Sequence, residues 1–441
     1  MIALIANQNI NATISISGSK SISNRILIIK HVLGLDIDLN NISDAEDTAL
    51  LQEALAQIEN KTSATINIHH AGTDMRFLTA LLSCKKGEWV LTGSERMKQR
   101  PIGELVNALK NLGADIIYLE KQNYPPLKII GKELLGGKIE IDGSISSQFI
   151  SALLLIAHTF KNGLELNIKN KIVSWPYIQM TISLLQQFGI VVEINAIELN
   201  TKLVIKHLPS SIFHLPSSIS IESDWSSASY WYSICALSTN ASIKLNYFNE
   251  KSLQADSVLP QLYNSLGVNT EFKKDYILLT KKQINITEIN YDFTNCPDIA
   301  QTIAVTCLAL GINANLTGLQ TLKVKETDRI IALKNELEKF GAEVQITNNS
   351  ITINTIKKNS KILSSPFDSA QDDKTSVTQS GVEGQSTIDI ETYNDHRMAM
   401  AFAPLCLKYP SIQIKNPEVV TKSYPQFWED LKKVDFKINS K

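Results

Sequence analysis

Leu184-Leu185-Gln186-Gln187-Phe188-Gly189-Ile190-Val191-Val192 reads as the end of an amphipathic helix, a glycine stop and the start of a strand. A glycine suits that junction because the chain closes a helix there in the left-handed conformation, which costs glycine nothing. The same phrase recurs as Ala108-Leu109-Lys110-Asn111-Leu112-Gly113-Ala114, as Gln261-Leu262-Tyr263-Asn264-Ser265-Leu266-Gly267 and as Glu336-Leu337-Glu338-Lys339-Phe340-Gly341-Ala342. The four glycines stand 76, 78 and 74 residues apart, and weaker copies lie near 55–60 and 431–434. So regular a period argues for repeated units of one supersecondary type, six in all, in an α/β protein of two globular halves. From Gly341 to Asp435 the interval lengthens to 94. The excess falls at 357–386, a stretch rich in Ser, Gln, Asp, Lys and Gly without apolar periodicity, expected to be a solvated, mobile insertion.

Composition agrees with this plan. The 441 residues carry 43 Lys and Arg against 44 Asp and Glu, and 44% are hydrophobic, enough to bury cores in two or three domains. A net charge of −1 excludes a general attraction to nucleic acid or to anionic membrane, so anion recognition must come from local clusters. The longest apolar run, Phe149 to Phe160, is interrupted by Ser151 and His158 and is too short to span a bilayer. The start of the chain lacks the basic region of a signal peptide. Five scattered cysteines, never in a CxxC pair, fit reduced thiols in a cytoplasmic protein and give no basis for a zinc site. His69-His70 is no better, since neighbours on a strand face opposite ways.

Four segments concentrate groups that bind anions or move protons. Gly18-Ser19-Lys20-Ser21-Ile22-Ser23-Asn24-Arg25 opens a helix-like run, offering free N–H groups beside two cations. Ala71-Gly72-Thr73-Asp74-Met75-Arg76 is followed by Arg96-Met97-Lys98-Gln99-Arg100-Pro101, rich in guanidinium forks. Gly143-Ser144-Ile145-Ser146-Ser147-Gln148 precedes an apolar helix, with Ser174-Trp175-Pro176-Tyr177 later; its serines read equally as N-caps. Lys323-Val324-Lys325-Glu326-Thr327-Asp328-Arg329 places Lys, Glu and Arg where they can converge on a small anion. Thr392-Tyr393-Asn394-Asp395-His396-Arg397 follows. Asp298, in Cys296-Pro297-Asp298, reads from its position as either a functional carboxylate or a helix cap.

Taken together these segments resemble the 5-enolpyruvylshikimate-3-phosphate synthase (3-phosphoshikimate 1-carboxyvinyltransferase) family of enolpyruvyl transferases. The stretches that carry the resemblance are 18–25, 71–80, 96–109, 143–154, 223–230, 297–305, 324–330, 392–402 and 421–431, in the family's order and along the whole chain. The resemblance implies two domains, each of three βαβαββ-type units around central helices, with the chain crossing between them near 16–20 and 220–224. One domain is then 18–222, and the other is 1–17 with 223–441. It implies transfer of the enolpyruvyl group of phosphoenolpyruvate to the 5-hydroxyl of shikimate 3-phosphate by addition and elimination, with no metal or organic cofactor, in a monomer.

Residue by residue, the resemblance puts Lys20, Ser21, Arg25, Ser146, Ser147, Gln148, Ser174, Tyr177, Asp298 and Lys325 on shikimate 3-phosphate. It puts Lys20, Gly72, Arg100, Gln148, Arg329, Arg397 and Lys422 on phosphoenolpyruvate. Asp298 is the implied base, Glu326 the implied proton carrier, Lys325 and Lys20 their cationic partners, and His396 an organiser. The chain departs from the common pattern at His70, Asp74, Phe77, Thr321 and Trp175. Asp74 is expected to set a carboxylate near the phosphoenolpyruvate pocket. Cations from both halves are expected to repel across a cleft that opens without ligand. The sister family acting on UDP-N-acetylglucosamine carries a reactive cysteine in a loop between the first-domain units. Here only Cys84 lies in that region.

Overall fold

In a computed structural model of the chain, the residues described are 1–197, 200–207, 217–355, 387–410 and 412–440. The insertion expected at 357–386 lies outside them. Five four-stranded sheets share one connectivity. In the unit from 63 to 131, Ser63–Asn67 pairs parallel with Gly87–Thr92, the helix Gly72–Cys84 making the crossover. The hairpin Asp115–Tyr118 and Leu127–Gly131 then adds antiparallel through its second strand. The units from 137 to 205 and from 288 to 354 repeat this order.

Two units are stitched from distant sequence. Asn9–Ile14 pairs parallel with Asn240–Asn246, which in turn pairs with the hairpin of Val268–Phe272 and Tyr276–Lys281. At the other end of the chain, Ile2–Ile5 inserts between Ile412–Ile414 and Lys437–Ser440, taking the place that the last hairpin strand holds elsewhere. A sixth unit shows two strands among the described residues, Asp38–Asn40 parallel to Ser218–Ser220. The six-unit expectation therefore holds. The four repeat glycines all sit at positive φ just after their helices, and Asp435 takes the same conformation in the weaker copy.

Two apolar cores form. One gathers side chains from Ile22 to Ile221, the other from Ile2 to Ile16 and from Trp225 to Phe436. Each is built on three inner helices: Lys20–Leu33, Gly72–Cys84 and Ser147–Ala157 in the first, Trp225–Leu237, Ala300–Leu310 and His396–Phe402 in the second. Most residues of these helices are buried, as expected of helices enclosed by sheet and by each other. The long apolar run of the sequence becomes one of them. Among the described residues no helix is long and apolar enough to cross a membrane.

The chain passes between the cores twice, and the two passages run side by side. Gly18 bridges antiparallel to Ser223, Ser19 N–H donates to Glu222 O at 2.8 Å, and Asp224 N–H donates to Ser17 O at 3.1 Å. Gly18 is required there, because a Cβ would lie 1.8 Å from Asn41 O.

Candidate active site

The inner helices of both halves begin at one cavity, lined from each helix start: Lys20 and Ser21, Gly72 and Thr73, Ser147 and Gln148, Ser226 and Ser227, Asp298, and His396 and Arg397. The exposed N–H groups and dipoles of several helices thus converge on one volume, which favours an anionic occupant. Arg25, Arg100, Ser146, Ser174, Tyr177, Lys325, Glu326 and Arg329 line it too. Lys422 does not line it but lies behind, its Nζ 2.6 Å from His70 O, 3.1 Å from Asp47 and 3.5 Å from Glu326. Every residue anticipated for the site is therefore gathered in or against one cavity.

The first wall holds guanidinium groups among neutral acceptors. Arg25 donates to Thr181 Oγ1 at 2.8 Å and to Ser21 O at 2.7 Å, and its guanidinium lies over the Phe77 ring at 5.3 Å. Arg76 donates to Gly72 O and Pro101 O. Burial without a carboxylate partner lowers the Arg25 pKa to about 10 and that of Arg76 well below its ordinary value. Arg100 packs so closely on Gly72 that a Cβ there would stand 2.3 Å from Nη1, which explains the glycine. Ser146 caps its helix, accepting from Gln148 N–H, and it also lines the cavity. Lys20 is the exception on this wall: its Nζ meets Asp47 at 2.8 Å. Burial opposes its charge, but Asp47 wins and the ammonium pKa is raised.

The opposite wall is a network of mixed sign. Arg329 donates to Asp395 at 2.6 Å, to Glu326 at 2.9 Å and to Asp298 at 3.3 Å. Asp298 also meets Arg397 at 3.3 Å, Lys325 at 3.5 Å and the Tyr177 hydroxyl at 3.3 Å. It sits in the short turn Pro297–Ile299 and does not serve as a helix cap. Burial by itself would raise its pKa, yet Arg397, Lys325 and Arg329 hold it far below the usual carboxylate range. Glu326 likewise resists burial through Arg329 and then Lys422, and is held well below its ordinary value. The helix after this cluster starts only at Arg329, capped by Asp328, so Lys325 and Glu326 stand on an irregular turn rather than on the helix.

Three expectations are refined. Asp74 does not line the cavity: it is fully buried, accepts from Asn24 Nδ2 at 2.7 Å, and burial beside Asp47 pushes its pKa well above the ordinary value. The carboxyl thus lies near the pocket, one residue from Thr73, where burial disfavours its charge. The two walls do not face each other as bare cations. Asp47 of the first takes Lys422 of the second, and Asp298 of the second takes Tyr177 of the first. His396 lines the cavity with neither ring nitrogen hydrogen-bonded among the described residues, its Nδ1 3.8 Å from Asp395, and burial drives its pKa well down. Sequence reading also passed over Asp47, which joins Lys20 to Lys422, and Asp256, a buried carboxyl beside Ser226. Asp47 had no local signal: it looks like any acid in the first turn of a helix, and its partners are 27 and 375 residues away.

The geometry meets known proteins at this point. The family model for EPSP synthase (3-phosphoshikimate 1-carboxyvinyltransferase) matches residues 5–431. The chain belongs to the EPSP synthase family. A 3-phosphoshikimate 1-carboxyvinyltransferase of Bacteroides fragilis strain YCH46 is 44% identical over 436 residues, covering 99% of this chain and 98% of the relative. One from Photobacterium damsela subsp. piscicida is 35% identical over 447 residues, covering 96% and 97%. Among solved structures, EPSP synthase from Acinetobacter baumannii superposes with a TM-score of 0.72 over 100% of this chain and 99% of its own. At 19% identity it speaks for the fold alone. Membership of the family is consistent with a cavity built at the helix starts of two repeated halves.

Proposed function

We propose that the chain transfers the enolpyruvyl group of phosphoenolpyruvate to the 5-hydroxyl of shikimate 3-phosphate, releasing phosphate, with the cavity between the two cores as its active site. The observation that carries this reading is the meeting of Asp298, Lys325, Glu326 and Arg329 of one wall with Lys20, Arg25 and Arg100 of the other. The reaction needs a base, a proton carrier and several cations for phosphate and carboxylate groups, and one cavity supplies all three. Full-length relatives at 44% and 35% identity bear the name of this activity.

The family resemblance and the shared cavity support the assignment of roles. Arg25, Ser21, Ser146, Ser147, Ser174 and Tyr177 bind the phosphorylated acceptor. Gln148, whose Nε2 is 3.3 Å from Thr73 Oγ1, joins that group to the residues that bind phosphoenolpyruvate. Gly72 and Arg100, with Lys20 and Lys422, receive the phosphate of phosphoenolpyruvate, while Arg329 and Arg397 take its carboxylate. Asp298, ionised beside the Tyr177 hydroxyl, accepts the proton of the 5-hydroxyl, and Lys325 bridges it to the reacting groups. Glu326 protonates the methylene carbon and later removes a proton. At rest Arg329 and Lys422 keep Glu326 ionised. When substrate anions engage those two cations, their hold on the carboxylate weakens and its pKa rises toward the range of a proton donor.

We assign 18–222 to one domain and 1–17 with 223–441 to the other, a division supported by the two cores. We place the protein in the cytoplasm as a monomer; five unpaired thiols support the compartment. The sister activity on UDP-N-acetylglucosamine is disfavoured, because burial pushes the Cys84 thiol up to about 12 and leaves it a poor nucleophile. Phosphate release from shikimate 3-phosphate and phosphoenolpyruvate tests the proposal directly. Release that requires both compounds is expected, and its absence with purified protein overturns the reading.

A further inference from the structure

We propose that Arg96 is a positioning residue that clamps the turn carrying Lys325 and Glu326. It belongs to the first half, at the start of the short turn Met97–Gln99 that leads to Arg100. Its guanidinium reaches across to the other half, where Nη2 donates to Lys325 O at 3.0 Å and Nε donates to Glu326 O at 3.1 Å. The acceptors are consecutive carbonyl oxygens, so one planar fork engages two adjacent peptide groups. A lysine ammonium at the end of a flexible stem offers no such pair of fixed, parallel donors.

The turn has need of such a hold. It joins the short helical stretch Gln320–Val324 to the helix that starts at Arg329 and belongs to neither, so no helix or sheet ladder orients its peptide planes. The peptide planes set the direction of each Cα–Cβ bond. Fixing the two carbonyls therefore aims the Lys325 ammonium, 3.5 Å from Asp298, and the Glu326 carboxylate, 2.9 Å from Arg329. Arg96 thus joins closure of the two halves to the aim of the proposed bridging lysine and proton carrier, through a contact to their main chain and none to substrate. The catalytic part of this inference rests on the reading given under Proposed function. The clamp itself does not.

The test uses the full chain and its Arg96→Gln and Arg96→Lys variants, with two readouts. The first is amide hydrogen exchange at 324–328 in substrate-free protein. Loss of the fork in Arg96→Gln is expected to speed exchange there by about tenfold, with other segments unchanged. The second is phosphate release. Arg96→Gln is expected to lower kcat by about 10²-fold, the cost of a misaimed group, while KM for shikimate 3-phosphate stays within about threefold. Arg96→Lys, which keeps the charge, is expected to restore neither readout. Unchanged exchange at 324–328 in Arg96→Gln overturns the clamp, and full recovery by lysine overturns the fork. If Arg96→Gln fails to fold, faster exchange in Arg96→Lys still decides the matter. Wild-type protein that releases no phosphate defeats the functional reading and leaves the exchange result to judge the clamp.

Discussion

The two walls of the cavity handle buried charge in opposite ways. On the first, Arg25 and Arg76 are surrounded by hydroxyls and carbonyls, and burial lowers their pKa values. On the second, Arg329 and Arg397 are buried as deeply, but Asp395, Glu326 and Asp298 raise theirs. A cation held only by neutral acceptors gains most when an anion arrives. A cation already inside a carboxylate network gains less and serves to aim and tune its neighbours. The first wall thus gains most from an arriving anion, while the second, where Arg329 and Arg397 also take a carboxylate in the proposed reaction, holds an acid, a base and a lysine in fixed relation.

The largest effect that distinguishes the walls is on turnover. Glu326→Gln keeps the size of the side chain and the contact to Arg329 but removes the titrating group. It is expected to lower kcat by about 10²–10⁴-fold, while both substrates still bind. Steady-state phosphate release together with equilibrium binding checks this. Near-normal turnover would mean that the second wall is not the catalytic one.

Stability should separate the walls next. Arg329→Met would leave Asp395 buried without the guanidinium that pairs it and Glu326 with Lys422 alone, and is expected to cost about 3–5 kcal/mol of folding stability. Arg25→Met would strand only neutral acceptors, several of which keep other partners: Thr181 Oγ1 still bonds Tyr177 O and Ser151 Oγ. Its cost is expected to stay below about 1.5 kcal/mol. The binding measurement should reverse the order, with Arg25→Met weakening shikimate 3-phosphate by about 10–100-fold, the worth of a charge-assisted contact. Denaturant titration and calorimetric binding on both variants give the comparison. Equal stability losses would erase the distinction between the walls.

What could be read in the sequence follows the range of the interactions. The repeat was legible because a helix stop and the strand after it are local: Gly113, Gly189, Gly267 and Gly341 each announce their own turn. The helix starts were legible for the same reason, from Lys20 and Ser21, from Gly72, and from Ser146 to Gln148. The stitching of strands was not, since Asn9–Ile14 finds its partner at Asn240–Asn246 only after the chain has built the entire other core. Charge pairing was least legible. Asp74 and Asp47 are both acids in the first turn of a helix, yet one turns inward to Asn24, where burial disfavours its charge, while the other joins two lysines. Arg96 and Arg100 are four residues apart in one motif; the resemblance singles out Arg100, which lines the pocket, and only the fold shows that Arg96 meets a main chain across the cleft.

The smallest effect sharpens the second wall at its edge. Asp256 is buried behind Ser226, with which it shares a short hydrogen bond. Burial and then the charge of Asp298 raise its pKa from 3.8 to about 7, against the pull of Arg397. It is therefore the member of this network whose charge burial, and then Asp298, disfavours. The consequence has a definite sign. Between pH 4 and 7 the unfolded chain has released this proton while the folded chain keeps it, so the group favours folding less and less as pH rises across that window. Above about pH 7 the folded state carries an unwelcome extra anion. Asp256→Asn removes the titration and leaves a neutral group of the same shape beside Ser226. The difference in melting temperature, variant minus wild type, is expected to rise steadily from pH 4 to 7 and to level off above. Asp298→Asn should send the difference the other way in a different window: its folded pKa is depressed, so the wild type loses its stabilisation only as pH falls below about 4, and the difference for this variant stays flat from pH 4 to 7. Two carboxylates in one network would then show opposite slopes in separate windows, one accepted by the cations and one refused. A flat difference for Asp256→Asn would mean that Arg397 compensates Asp256 as fully as it does Asp298.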